Sequence, residues 1–76
     1  MKNYSMQDRF LDVLKKKQIS VTIFLVSGYQ IRGNVIGFDN YTVIIKTGDV
    51  QQLIYKHAIS TMVPGMNIDF MEEDDV

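Results

Sequence analysis

From residue 19 onward the chain is a succession of short β-type runs, each cut off by a turn signal before it can grow long. Ile19–Val26 is rich in β-branched and aromatic residues and ends at Ser27-Gly28. Tyr29–Phe38 ends at Asp39-Asn40, and Tyr41–Lys46 ends at Thr47-Gly48-Asp49. Val50–Tyr55 runs into Lys56-His57, and Ile59–Val63 is stopped by Pro64-Gly65. Branched and aromatic side chains suit a pleated surface, whereas Gly, Pro, Asn and Asp suit tight turns. Gly33 and Gly37 lie inside the second run, where glycine marks sharp bending. Five short, strongly bent strands predict a small SH3-like barrel.

A helix precedes them. Ser5 is a good N-cap, and Asp8 three residues on completes a capping-box pattern. Met6, Phe10, Leu11, Val13 and Leu14 form one apolar stripe at helical spacing. Lys15-Lys16-Lys17 close the last turn, where positive charge suits the helix dipole. The expected organisation is one domain over residues 1–65, with the helix at about 6–17 and the barrel at about 19–64. Residues 66–76 read as a short, acidic, flexible tail.

A chain of 76 residues buries a thin core and often needs a staple. With no cysteine, neither disulfides nor thiolate-metal sites are available, and one histidine cannot hold a metal alone. Self-association remains. A small barrel has open strand edges, and pairing the fourth strand of one copy with the fifth of the next would cover them. Such a head-to-tail contact closes into a ring. No apolar run reaches membrane-span length, and the N-terminus lacks a signal-peptide core. The expectation is a soluble, unprocessed, cytoplasmic protein with no cofactor and no membrane partner.

The net charge of −1 conceals two opposed regions. Residues 1–66 hold all eight Lys and Arg against four carboxylates, a net of +4. The remaining five acids, Asp69, Glu72, Glu73, Asp74 and Asp75, fall in the last eight residues. A basic body with an acidic tail is a common pattern in nucleic-acid binders. The segment Tyr55-Lys56-His57-Ala58-Ile59-Ser60-Thr61 places a cation and a titratable ring at a strand junction. An enzyme is the weakest reading. A nuclease needs paired carboxylates or several histidines, and here Asp8, Asp12, Asp39 and Asp49 are scattered over separate elements.

Four stretches together resemble the Hfq family, the bacterial Sm-like RNA-binding proteins. They are Gln7-Asp8-x-Phe10-Leu11, Leu25-Val26-x-Gly28, Gly33-x-x-x-Phe38-Asp39 and Tyr55-Lys56-His57-Ala58-Ile59-Ser60-Thr61. The resemblance covers about residues 4–64. It implies a homohexameric ring that binds single-stranded RNA and helps small regulatory RNAs act on messenger RNAs, without enzymatic activity. It further implies three RNA surfaces. The pore on the helix-bearing face takes U-rich ends, with Gln7, Asn40, Tyr41, Lys56 and His57 in the matching positions. The opposite face takes A-rich RNA, with Phe24, Ser27, Gly28, Tyr29, Gln30, Ile31, Arg32, Gln52 and Thr61. The outer rim is matched by Asp12, Lys15, Lys16 and Lys17.

The chemistry suits these assignments. Tyr41 can stack on a base at roughly 1–3 kcal/mol. Lys56 and Gln7 can donate to uracil carbonyls, and His57 to a phosphate or ribose hydroxyl. If Val21, Ile23 and Leu25 point inward, Phe24 points outward, near Tyr29 across the turn. Two such aromatics can sandwich an adenine, with Gln52 at its polar edge. Three departures stand out. Asn40 and Tyr41 replace the Gln and Phe of many relatives, and Arg32 falls where many carry Gln. Lysines replace rim arginines, giving point charges in place of a phosphate-gripping fork, so a weaker rim is expected. The rival reading is an Sm-like ring that scaffolds protein partners. A final expectation is that the acidic tail folds back on the rim and competes with RNA.

Overall fold

The helix α1 spans Met6–Lys16, and its limits follow from its caps. The Asp8 amide donates to Ser5 Oγ at 3.0 Å, filling one of the amide positions that a helix start leaves open. Leu11, Val13 and Leu14 are buried. Met6 departs from the expected stripe. It sits at the first helical position and is exposed, so the packed stripe begins one turn later. The computed structural model describes residues 5–68. The tail proposed from residue 66 lies, from residue 69 on, outside the described residues.

The helix ends by a device that the sequence did not signal. Gln18 takes a left-handed conformation, with φ +53°. Its amide donates to Lys15 O at 3.3 Å, and the Ile19 amide donates to Leu14 O at 3.1 Å. These two bonds make a Schellman cap, with the Ile19 and Leu14 side chains joined in the core beneath it. Glycine normally fills this position because a side chain there costs roughly 1–2 kcal/mol. Gln18→Gly is therefore expected to stabilise the fold by about 1 kcal/mol, read as a higher denaturant midpoint at unchanged slope.

Five antiparallel strands follow: β1 (Ser20–Leu25), β2 (Gln30–Phe38), β3 (Thr42–Thr47), β4 (Val50–Tyr55) and β5 (Ile59–Pro64). They form one sheet in the order β4-β3-β2-β1-β5. A single 3-10 turn, Lys56–Ala58, joins β4 to β5. The β3–β4 hairpin is tighter than its sequence suggests. Thr47 pairs with Val50, so Gly48-Asp49 alone makes the turn, with Gly48 at φ +59°. Glycine at the first of two loop positions is the II′ preference.

The bend is concentrated in β2. Its first half, Gln30–Asn34, pairs with β1, and its second half, from Asn34 to Phe38, pairs with β3. One strand thus serves both halves of the fold, turning at Asn34. A β-carbon on Gly33 would run into the Lys46 carbonyl and would lie 2.7 Å from Thr47 Oγ1 and 2.8 Å from Ile45 Cγ2. Glycine is needed there because β3 passes so close. Further on, Val35 pairs with Ile45 and Gly37 with Ile44, leaving Ile36 as an extra, unpaired residue in a β-bulge. A second bulge falls between Phe24 and Leu25 where β1 meets β5.

Strand alternation and the helix stripe meet in one core of Leu11, Leu14, Ile19, Val21, Ile23, Val35, Val43, Ile45 and Ile54. Burial of each such side chain contributes roughly 1.5–3 kcal/mol against the chain entropy lost on folding. The expected inward set of β1 holds: Val21 and Ile23 are buried and Leu25 packs against the core. The two outermost strands, β4 and β5, carry exposed apolar residues, among them Leu53, Tyr55 and Val63.

Candidate nucleic-acid interface

The 3-10 turn is the centre of the first group. Lys56 Nζ lies 2.7 Å from Asp8 Oδ1, across 48 residues of chain. The same ammonium lies 5.6 Å from the centre of the Phe38 ring. Its side chain is only 11% exposed. Lys56 is therefore held between a carboxylate and an aromatic face, with donor capacity left over, since an ammonium carries three N–H groups. The Lys56 amide donates to the Tyr41 carbonyl at 2.7 Å, which ties the β2–β3 turn to the same corner. Gln7 sits beside Asp8 in the helix's first turn and is half-buried. His57 is exposed, and its ring stacks on Tyr55 with centroids 5.7 Å apart and planes at 20°.

Tyr41 is presented by a turn that Asp39 organises. One carboxylate oxygen, Asp39 Oδ1, accepts from the Tyr41 amide at 2.9 Å, from the Thr42 amide at 2.8 Å and from the Thr42 hydroxyl at 2.8 Å. Tyr41 is left 73% exposed at the tip, with Asn40 exposed beside it. The Tyr41 amide, followed by the Thr42 hydroxyl and amide, holds the Asp39 carboxyl below the ordinary carboxylate range. A depressed folded-state value means the bonds are fully made above the unfolded value and are lost as pH falls through the folded one. Asp39→Asn is thus expected to lower the thermal midpoint at neutral pH. The gap to the parent should close in acid, once the parent's own carboxyl is protonated.

The second group gathers around the β1–β2 turn. Tyr29, Gln30, Ile31, Arg32 and Gln52 line one open groove together with Thr47 and Val50. Phe24 pairs across β1 with Gln30 on one side and Thr61 on the other, so the sheet sets all three in one row. Gly28 adopts φ +96° in the turn, and the Tyr29 amide donates to Ser27 Oγ at 3.4 Å. Tyr29 stands 67% exposed at the end of that turn. Thr47 donates its hydroxyl to the Arg32 carbonyl, fixing the wall of the groove opposite Tyr29.

The three lysines at the end of α1 divide. Lys16 pairs with Asp12 at 3.1 Å, an i,i+4 surface contact worth roughly 0.3–0.5 kcal/mol. Lys17 is the C-cap residue. Lys15 borders a cleft against β2 and β3. Among the described residues no group of three or more His, Cys, Asp or Glu could hold a metal ion. No helix among them is long and apolar enough to cross a membrane.

The family model described as Hfq protein matches residues 6–69, from the first turn of α1 to just beyond β5. The chain belongs to the Hfq family. It is 53% identical over 72 residues to the RNA-binding protein Hfq of Shouchella clausii, covering 95% of this chain and 94% of that protein. It is 54% identical over 74 residues to the RNA-binding protein Hfq of Geobacillus kaustophilus, covering 96% and 99%. Among solved structures, a crystal structure of the pleiotropic translational regulator Hfq superposes with a TM-score of 0.74 at 41% identity. The match covers 78% of this chain and 98% of that one. An Hfq protein from Anabaena sp. gives 0.68 at 39% identity, with 74% and 90% covered.

The Hfq match spans all three residue groups, from Gln7 to Thr61. Within this Hfq-family fold, three residues support the first group without having been marked as part of it. Asp8 anchors Lys56, Asp39 shapes the Tyr41 turn, and Tyr55 backs His57. Asp8 and Asp39 read in the sequence as scattered acids, because the contacts that employ them are long-range or confined to a turn. Tyr55 had a signal, being separated from His57 by one residue.

Proposed function

We propose that this Hfq-family chain is an RNA-binding chaperone acting as a homohexameric ring. U-rich single strands bind at the pore on the helix-bearing face, through Gln7, Asn40, Tyr41, Lys56 and His57. A-rich strands bind on the opposite face, through Phe24, Ser27, Gly28, Tyr29, Gln30, Ile31, Arg32, Gln52 and Thr61. Lys15, Lys16 and Lys17 form a modest rim. By holding two RNAs at once, the ring assists pairing of small regulatory RNAs with messenger RNAs, and so post-transcriptional regulation such as a stress response in the cytoplasm. The reading includes no catalytic step.

The observation that carries this reading is the corner built around Lys56. An anchored cation, an exposed histidine and an exposed tyrosine are fastened to one another by the Lys56 amide–Tyr41 carbonyl bond. That set offers stacking, donation to a carbonyl and donation to a phosphate within one small area. The naming of the relatives as RNA-binding proteins points the same way. Open β4 and β5 edges with exposed apolar side chains are what a ring closing by strand pairing requires. Repetition around a ring then turns a weak site into a strong one.

Tyr29→Ala tests the division into faces. It is expected to weaken A-rich binding by about 5- to 100-fold, the worth of one lost base stack at roughly 1–3 kcal/mol. U-rich binding should stay within twofold in the same titration. Equal losses on both RNAs, with the oligomer intact by light scattering, would refute the assignment.

A further inference from the structure

Tyr41 carries a group that neither the fold nor base stacking accounts for. Its backbone is committed on both sides. The amide donates to Asp39 Oδ1 at 2.9 Å, and the carbonyl accepts from the Lys56 amide at 2.7 Å. Thr42, the next residue, pairs with Tyr55, so Tyr41 stands where the β3–β4 ladder runs out, opposite Lys56. The side chain stays 73% exposed. Among the described residues no donor or acceptor meets its hydroxyl. Tyr55, by contrast, has its ring engaged by His57. Stacking on a base needs only an aromatic face, which phenylalanine offers equally. The Tyr41 hydroxyl is therefore available for a contact that stacking does not use.

The chemistry of the neighbouring groups narrows what that contact is. Lys56 is a donor-only ammonium with part of its capacity spent on Asp8, which suits it to a base carbonyl. His57 is exposed one residue further on and suits a phosphate. Gln7 and Asn40 carry amides, which match the polar edges of bases. A phenol hydroxyl is neutral, and it both donates and accepts. The ribose 2′-hydroxyl has the same double character and is the group by which a protein tells RNA from DNA. The phenol oxygen lies in the plane of the ring. A base stacked flat on Tyr41 thus leaves that oxygen at the edge of the stack, where the sugars run.

Resting on the U-rich reading of this corner, we infer that Tyr41 is a specificity-determining residue that selects RNA over single-stranded DNA. Its ring holds the base, and its hydroxyl exchanges a hydrogen bond with a ribose 2′-hydroxyl. The fixed turn gives this contact its worth, because a group anchored in advance loses little freedom on binding. DNA of the same base sequence keeps the stack, the base-edge contacts and the phosphates. It lacks only the partner of the Tyr41 hydroxyl.

The test is a cycle that removes each hydroxyl in turn. The full chain and its Tyr41→Phe variant are titrated with labelled oligouridine and with oligodeoxyuridine of equal length, the oligomer being checked by light scattering. Tyr41→Phe is expected to weaken oligouridine about 2- to 10-fold, the worth of one neutral hydrogen bond. The ratio of RNA to DNA affinity should shrink by the same factor, which is the coupling between the two hydroxyls. Tyr41→Ala should weaken both probes, by about 5- to 100-fold, through the lost stack. Equal losses on both probes in Tyr41→Phe would mean that the hydroxyl meets a base or a phosphate, and would overturn the inference. Unchanged affinity for both in Tyr41→Phe would leave the hydroxyl in water and overturn it as well. If the parent protein bound neither probe, the U-rich reading itself would fall, a result separate from these.

Discussion

Lys56→Ala is expected to weaken binding of U-rich RNA by about 10- to 100-fold while leaving A-rich binding within twofold. A hydrogen bond from a charged donor is worth roughly 1.5–3 kcal/mol, and each 1.4 kcal/mol is a factor of ten. The effect should lie toward the upper end, because Lys56 does not move freely. Asp8 holds its ammonium at 2.7 Å, Phe38 lies under it, and the side chain is 11% exposed. A donor fixed in advance loses little entropy when it binds. Removing it also leaves the Asp8 carboxylate, itself only 20% exposed, facing the incoming RNA without its cation. Fluorescence anisotropy with U-rich and A-rich oligonucleotides reads the effect. Lys56→Arg should recover only part of it, since a planar fork does not reproduce a point donor at Asp8.

Gly33→Ala is expected to destabilise the fold by roughly 3 kcal/mol, the upper end of overpacking effects. The added methyl would meet the Lys46 carbonyl, which cannot swing aside as a side chain tip can, as well as Thr47 Oγ1 and Ile45 Cγ2. Relief requires β2 and β3 to separate at the point where β2 changes partners. Against a typical total stability of about 5–15 kcal/mol this is a large fraction. Gly37→Ala is the control. Nothing lies within 4 Å of a β-carbon there, so its denaturation midpoint should stay near that of the parent. A mild effect at Gly33 would mean that the strands are not so closely apposed.

These two glycines show what could be read from the sequence. Both were legible as marks of bending, since glycine inside a β-type run is otherwise unfavourable. Their difference was not, because it depends on which strand passes behind each. The five strands were legible nearly to their ends, through branched residues bounded by turn signals. The helix start was legible through Ser5, whose hydroxyl does accept from the Asp8 amide. The helix end was not, because glutamine carries no sign of a left-handed cap. Met6 fitted the apolar stripe by spacing and yet stays exposed at the helix's first position.

The candidate site divides in the same way. Lys56, His57 and Tyr41 stood out by residue type and by family resemblance. What anchors them did not: Asp8 is 48 residues from Lys56, and the service Asp39 renders to Tyr41 is a matter of turn geometry.

The most direct measurement titrates labelled U-rich and A-rich oligonucleotides against the full chain, each with the other as unlabelled competitor. Two separate faces predict tight binding of both, strong salt dependence, and no displacement of either by the other. Mutual displacement would show one shared surface and contradict the two-face chaperone.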